Sequence, residues 1–147
     1  MGSPEKLYQM SILEYLFPDQ ITSPESIKYN CIAWAAGDDK QWWEPDPMHM
    51  YYWPPLVPRI CTLAAFVKAY ESIGFVVCPD GTLEANFIKI ALYADPYNNP
   101  THAARLQPNG KWTSKCGDKE DIEHDLTQVC NPPFPYGNVV CFMKKPT

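Results

Sequence analysis

The chain has 147 residues, 46% hydrophobic and 20% charged, with a formal net charge of −5. That composition suits a single globular domain over residues 1–147 with a real core and leaves little room for a second. The acidic balance excludes general nucleic-acid binding, since Lys144-Lys145 is too short to make a basic patch, and no apolar stretch is long enough to span a bilayer.

In chain order, Glu5 to Leu16 reads as a helix that docks through Leu7, Ile12, Leu13 and Leu16 and stops at Pro18. A polar lead-in, Thr22 to Ser26, delivers the chain to Asn30. Asn30 is a strong N-cap and Gly37 a natural left-handed stop, so a short helix is expected between them with Cys31 in its first turn. The segment from Gln41 to Pro55 is rich in proline and aromatic residues, which rules out a regular central strand or helix and leaves a long ordered loop. Thr62 caps a helix carrying Leu63, Phe66, Val67, Tyr70 and Ile73 on one face, closed by Gly74.

Strands are expected at Phe75–Cys78, Phe87–Tyr93 and Gly137–Met143, with a hairpin between Thr101 and Lys115. Its turn, Pro108-Asn109-Gly110, reads as a three-residue loop with a bulge. This register places Leu106 opposite Trp112 and His102 opposite Cys116, with Ser114 diagonal to His102. A two-residue turn at Asn109-Gly110 would put Thr113 and Lys115 on the histidine face instead. The run from Asp121 to His124 reads as a surface-facing terminal helix. The whole is an α+β order: two or three N-terminal helices, then an antiparallel sheet of roughly five strands.

A cysteine at a helix start is the feature with chemical content. Unpaired backbone N–H groups there favour the thiolate, and with a histidine beside it a cysteine pKa falls from about 8.5 into a range of roughly 3.5–7.5. The competing reading of Cys31 is a small buried hydrophobe. His102 is the candidate partner, against the alternative of a strand-edge histidine bonded to backbone. Arg105 reads as a strand-edge ion-pair partner that would bind a carboxylate if its face opened to a groove.

This order, a cysteine at a helix start and a histidine beginning a strand about seventy residues later, resembles the papain-like cysteine hydrolases. The resemblance implies a papain-like fold with the Cys-bearing helix packed on the sheet, Cys31 as nucleophile and His102 as base. A polar residue on the neighbouring strand orients the imidazole in that superfamily. Ser114 or Lys115 stands there, where Asp, Asn, Glu or His is more usual, with Asp118 and Asp121 as further candidates. The blocks Asn30 to Ala35, Gln41 to Trp43, His102 to Arg105, Gly110 to Lys115 and Asp121 to His124 are also similar to a family of uncharacterised, mainly bacterial domains, which names no substrate.

The expected chemistry is attack of Cys31 on a peptide, isopeptide or amide carbonyl, with the acyl group passed to water or an amine, as in a peptidase, an amidase or a transglutaminase-like acyltransferase. The N–H of Cys31 is the expected oxyanion donor, with Asn30, Tyr29, Glu25 and Ser26 the polar neighbours upstream. Asn30, Trp34, Trp42, Trp43, Trp53 and Trp112 are the candidate substrate-binding residues, the aromatic loop forming a groove wall. The rival is a non-catalytic interaction domain using the same Trp/Tyr/Pro-rich loop to bind a protein partner. Six cysteines without a framework spacing or C-x-x-C pair, and isolated His49 and His124, give neither disulfides nor a zinc site, and no cofactor is expected. The N-terminus lacks a basic segment followed by an apolar one, so no signal peptide is expected and the location is the cytoplasm, with a secreted effector as the alternative.

Overall fold

A computed structural model describes residues 20–23, 26–116, 120–130 and 134–147. The expected helix at Glu5–Leu16 lies outside the described residues, as do Glu25 and Asp118. Seven strands follow one another: β1 (Ile21–Ser23), β2 (Val76–Cys78), β3 (Phe87–Ala94), β4 (Pro100–Leu106), β5 (Trp112–Lys115), β6 (Asp121–His124) and β7 (Asn138–Pro146). They form one antiparallel sheet in the order β1-β6-β5-β4-β3-β7-β2. The described helices are short, α1 (Cys31–Ala36) and α2 (Leu63–Glu71), and a 3-10 turn covers Gln128–Cys130.

The molecule is therefore largely β, and the papain-like α+β arrangement with roughly five strands is overturned. The two strands added are β1 and β6. Each has three or four residues, and β6 reads Asp-Ile-Glu-His, so neither carries enough alternation to announce itself. Pairing makes them strands. Ile122 lies opposite Ser114, and Asp121 opposite Lys115, where a helix had been expected.

Strand alternation divides the core in two. Ile90, Leu92, Ala103 and Met143 face α1 and α2, together with Trp43 and Trp53 from the aromatic loop. Ala91, Tyr93, Ala104, Leu106, Trp112 and Ile122 face the other way, under Val129 and Phe134. Both faces of β3 are covered, consistent with its buried run from Lys89 to Ala94.

Local signals hold well elsewhere. Thr62 caps α2 by accepting from the N–H of Ala65. Leu106 pairs with Trp112, the N–H of Gln107 donates to the carbonyl of Lys111 at 2.8 Å, and Gly110 takes φ +84, which is the three-residue loop register.

Asn30 joins two elements. Its Oδ1 accepts from the N–H of Ala33 at 3.1 Å and of Trp43 at 3.2 Å, while Nδ2 donates to the carbonyl of Trp43 at 2.7 Å. It is buried and fully used as a cap and loop clamp. Asn30→Ala leaves these backbone groups without partners, and a loss of about 2 kcal/mol is expected. Urea unfolding of the variant against the native chain measures it; an unchanged midpoint would show that the clamp contributes nothing.

Candidate active site

α1 begins at Cys31, and its small residues Ala33 and Ala35 let it lie close on β4. The Tyr70 hydroxyl ties it to the core by donating to the carbonyl of Ile32 at 2.9 Å. The Cys31 sulfur faces the backbone N–H groups of Ala103 and Ile32 and its own, which pull its pKa down, with help from Lys115. Burial outweighs them and pushes the thiol up to about 11. The expectation of a standing thiolate is thus reversed. A helix start supplies partial positive charge, but a buried sulfur has lost most of its water.

His102, Ser114 and His124 lie on a diagonal across β4, β5 and β6, on the face away from the helices. His102 Nε2 is 2.8 Å from Ser114 Oγ, which is 2.6 Å from His124 Nε2, and His124 Nδ1 is 2.7 Å from the carbonyl of Asp125. A carbonyl only accepts, so His124 Nδ1 carries a proton and, in the neutral ring, Nε2 is the acceptor. The Ser114 hydroxyl then donates to His124 and accepts from the Nε2–H of His102. This assignment leaves His102 Nδ1 a bare lone pair, and that atom is buried without a hydrogen-bond partner.

Burial favours the neutral state of both rings. It pushes the His102 pKa well below its ordinary value, the charge of His124 adding to the effect. His124 is also lowered by burial, although its bond to Asp125 and that residue's charge act in the opposite direction. Tyr136 stacks on the His102 ring at 3.8 Å and 8°, and Tyr93 meets its edge at 5.3 Å. Two contacts position Tyr136. Its carbonyl accepts from the Thr101 hydroxyl, and Gly137 follows at φ +77 where a Cβ would strike the carbonyl of Ala94.

Cys31 and His102 approach the sheet from opposite faces. The β4–β5 ladder stops at Arg105 opposite Thr113, so the paired strands do not extend to His102. Among the described residues no hydrogen bond joins Cys31 to His102. Cys116 and Tyr136 connect the two neighbourhoods. Cys116 is pushed up to about 12, first by burial and then by the charge of Cys31, while a side-chain bond from Tyr136 opposes this.

Of the candidate orienting residues, Ser114 is the one on the imidazole. Lys115 points to the helix face, donating to the carbonyl of Ser26 at 2.7 Å, and Asp121 accepts from the Tyr29 hydroxyl at 2.7 Å. A groove of about 410 Å³ borders Cys31, Asn30, Trp43, Pro45, Phe66 and Pro100. The other tryptophans lie elsewhere. Trp34 donates to Thr113, Trp42 to Glu44, and Trp53 to the carbonyl of Pro58, while Trp112 packs near Phe142 on the far face. His124 and Tyr136 were missed by the sequence reading. Asp121–His124 is too short for its alternation to mark His124, and nothing local marks Tyr136.

A family model described as a domain of unknown function, DUF7689, matches residues 20–144, and the chain belongs to that family. None of the curated proteins and none of the solved structures matches it. No helix among the described residues is long and apolar enough to cross a membrane.

Ser114→Ala leaves His102 Nε2–H and His124 Nε2 buried without partners, and a loss on the order of 2–4 kcal/mol is expected in urea unfolding. The histidines also set a pH dependence. The unfolded chain takes up protons near the ordinary value of 6.5 that the folded rings refuse, so stability is fully present above that pH and falls as pH drops below it. Cys31 acts at the other end. Its folded thiol stays protonated past the ordinary 9.0, so its contribution is lost as pH rises from there to about 11. Unfolding free energies from pH 5 to pH 8, with His102→Gln beside the native chain, check the acid limb; the variant's limb is expected to be shallower, by at most about 1.4 kcal/mol per pH unit.

Proposed function

We propose that this DUF7689 domain is a cysteine-dependent acyl-transfer enzyme, a hydrolase or acyltransferase acting on a peptide, isopeptide or amide bond through Cys31 and His102. The supporting observation is the buried, bare Nδ1 of His102 at the end of a hydrogen-bond chain that fixes its proton state. The Cys31 thiol, which borders a groove, is the nucleophile in this reading.

Both groups are neutral at rest, because burial raises one pKa and lowers the other. Proton transfer therefore accompanies attack instead of preceding it. As the acyl donor enters, the thiol turns to Nδ1, gives up its proton there, and the sulfur bonds to the carbonyl carbon. The imidazolium keeps its Nε2–H on Ser114. It then protonates the departing amine as the C–N bond breaks, leaving a thioester on Cys31. Water or a second amine, deprotonated by His102, attacks the thioester and releases the thiol. Ser114 and His124 are positioning residues in this scheme. The six cysteines are all free thiols, which supports a reducing, cytoplasmic setting.

A second reading rests on a separate observation. Met48, Met50, Tyr51, Leu56 and Ile60 are exposed along one loop, as the contact surface of a non-catalytic interaction domain would be.

Acylation separates the two. With p-nitrophenyl acetate at pH 7, followed by peptide mass mapping, Cys31 is expected to acetylate at least ~10-fold faster than the exposed Cys61. His102→Gln is expected to slow Cys31 by a factor on the order of 10²–10⁴, while Cys116→Ser leaves it acetylating. A Cys31 slower than Cys61, or one indifferent to His102, overturns the enzyme reading and leaves the loop as the functional surface.

A further inference from the structure

Arg105 belongs to β4 and points to the face covered by α1, and the ion-pair partner expected for it is not found among the described residues. Among the described residues its guanidinium has neither a salt bridge nor a hydrogen bond. Burial lowers its pKa and no carboxylate raises it back. A half-buried charge left this way is costly, so a site that keeps one has space prepared for a counter-ion.

Gly37 makes room for the guanidinium itself. This residue closes α1 at φ +88, and a Cβ on it would lie 2.8 Å from Arg105 Nη1. The guanidinium borders a cavity of about 300 Å³ with Trp34, Gly37, Asp39 and Gln107. Asp39 is exposed, forms no salt bridge among the described residues, and does not act on Arg105. Gln107 donates its Nε2–H to Thr113 at 2.7 Å, so the free end of its amide is the Oε1 acceptor. Trp34, its indole N–H on Thr113, supplies an apolar wall. The cavity lining thus combines a fork of donors with a carboxylate and an amide oxygen.

We infer that this cavity binds a small zwitterion, an α-amino carboxylate, with its carboxylate on Arg105 and its ammonium between Asp39 and Gln107 Oε1. A planar carboxylate matches the guanidinium fork. A phosphate is disfavoured because Asp39 and, in the adjoining cleft, Asp121 and Glu123 repel a dianion more strongly than a ligand of zero net charge. The cavity lies at the Gly37 end of α1, about 9 Å along the helix from Cys31, and does not depend on the chemistry proposed there.

The test is NMR of the ¹⁵N-labelled full chain, reading the Trp34 indole N–H, assigned with Trp34→Phe, and the Arg105 Nε–H. L-alanine, L-leucine and L-glutamate are titrated beside propionate, ethylammonium and inorganic phosphate. At least one amino acid is expected to give saturable shifts of both signals with an affinity roughly 10-fold or more above propionate and ethylammonium. Arg105→Gln abolishes the shifts, and Arg105→Lys, which keeps the charge and the fold but not the fork, weakens them. Asp39→Asn removes the advantage of the amino acid over propionate. No saturable shift with any of the three amino acids, shifts that survive Arg105→Gln, or tighter binding of phosphate would each overturn the assignment.

Discussion

Close packing of α1 on β4 is the contact on which both proposed sites depend. Ala33 and Ala35 of the helix and Ala103 of the strand are wholly buried, and none has a side chain to hold the two backbones apart. One end of the helix then brings the Cys31 sulfur to the N–H of Ala103, and the other brings Gly37 down on the Arg105 guanidinium. A larger residue at any of the three alanines would lift the helix and separate both pairs at once. Asn30 fixes the helix along its axis, because the same side chain caps α1 and holds Trp43 in the loop that lines the groove.

Charge in the interior follows two patterns. Lys89 is buried, yet Asp80 and Glu84 stand 3.1 and 3.4 Å from its ammonium and raise its pKa against burial. Among the described residues no carboxylate hydrogen-bonds to the histidine diagonal. It meets the cost of burial by staying neutral, with every proton assigned by a chain ending on a carbonyl. Arg105 follows neither pattern, since a guanidinium is effectively always charged and no acid among the described residues meets it.

Much of the local structure was legible in the sequence. Asn30 and Gly37 bounded α1, Thr62 began α2, and Pro108-Asn109-Gly110 fixed the register that puts Ser114 diagonal to His102. What was lost depends on elements distant in the chain. β1 and β6 exist through their pairing with each other and with β5, and their three or four residues carry no period of their own. Without β6 there was no place for His124 beside Ser114. The helix-start argument for a low thiol pKa failed for a related reason: it counts the N–H groups near the sulfur, which are local, and not the burial, which is set by α2, the aromatic loop and the sheet together. The order of cysteine helix and histidine strand resembled a papain-like chain, but order does not set strand number, and the alternation that puts Ala103 toward the helix turns His102 away from it.

The open end of the β4–β5 ladder explains why a sulfur stands where it does. The N–H of Gln107 crosses the hairpin to Lys111, so by alternation those of Arg105 and Ala103 point the same way, toward β5. At Ala103 the paired register has already ended, and the Cys31 sulfur is what the N–H meets. A thiol is a weak acceptor, which satisfies a buried donor incompletely. Its hold on Ala103 is correspondingly easy to give up, so the sulfur can rotate toward an incoming ligand at little cost, whereas an oxygen at the same place would be fixed there by a stronger bond. The strand separation that exposes Ala103 N–H is also what leaves the neighbouring Cys116 and Tyr136 around the edge of the sheet. The broken ladder thus gives the buried thiol a backbone contact it can leave.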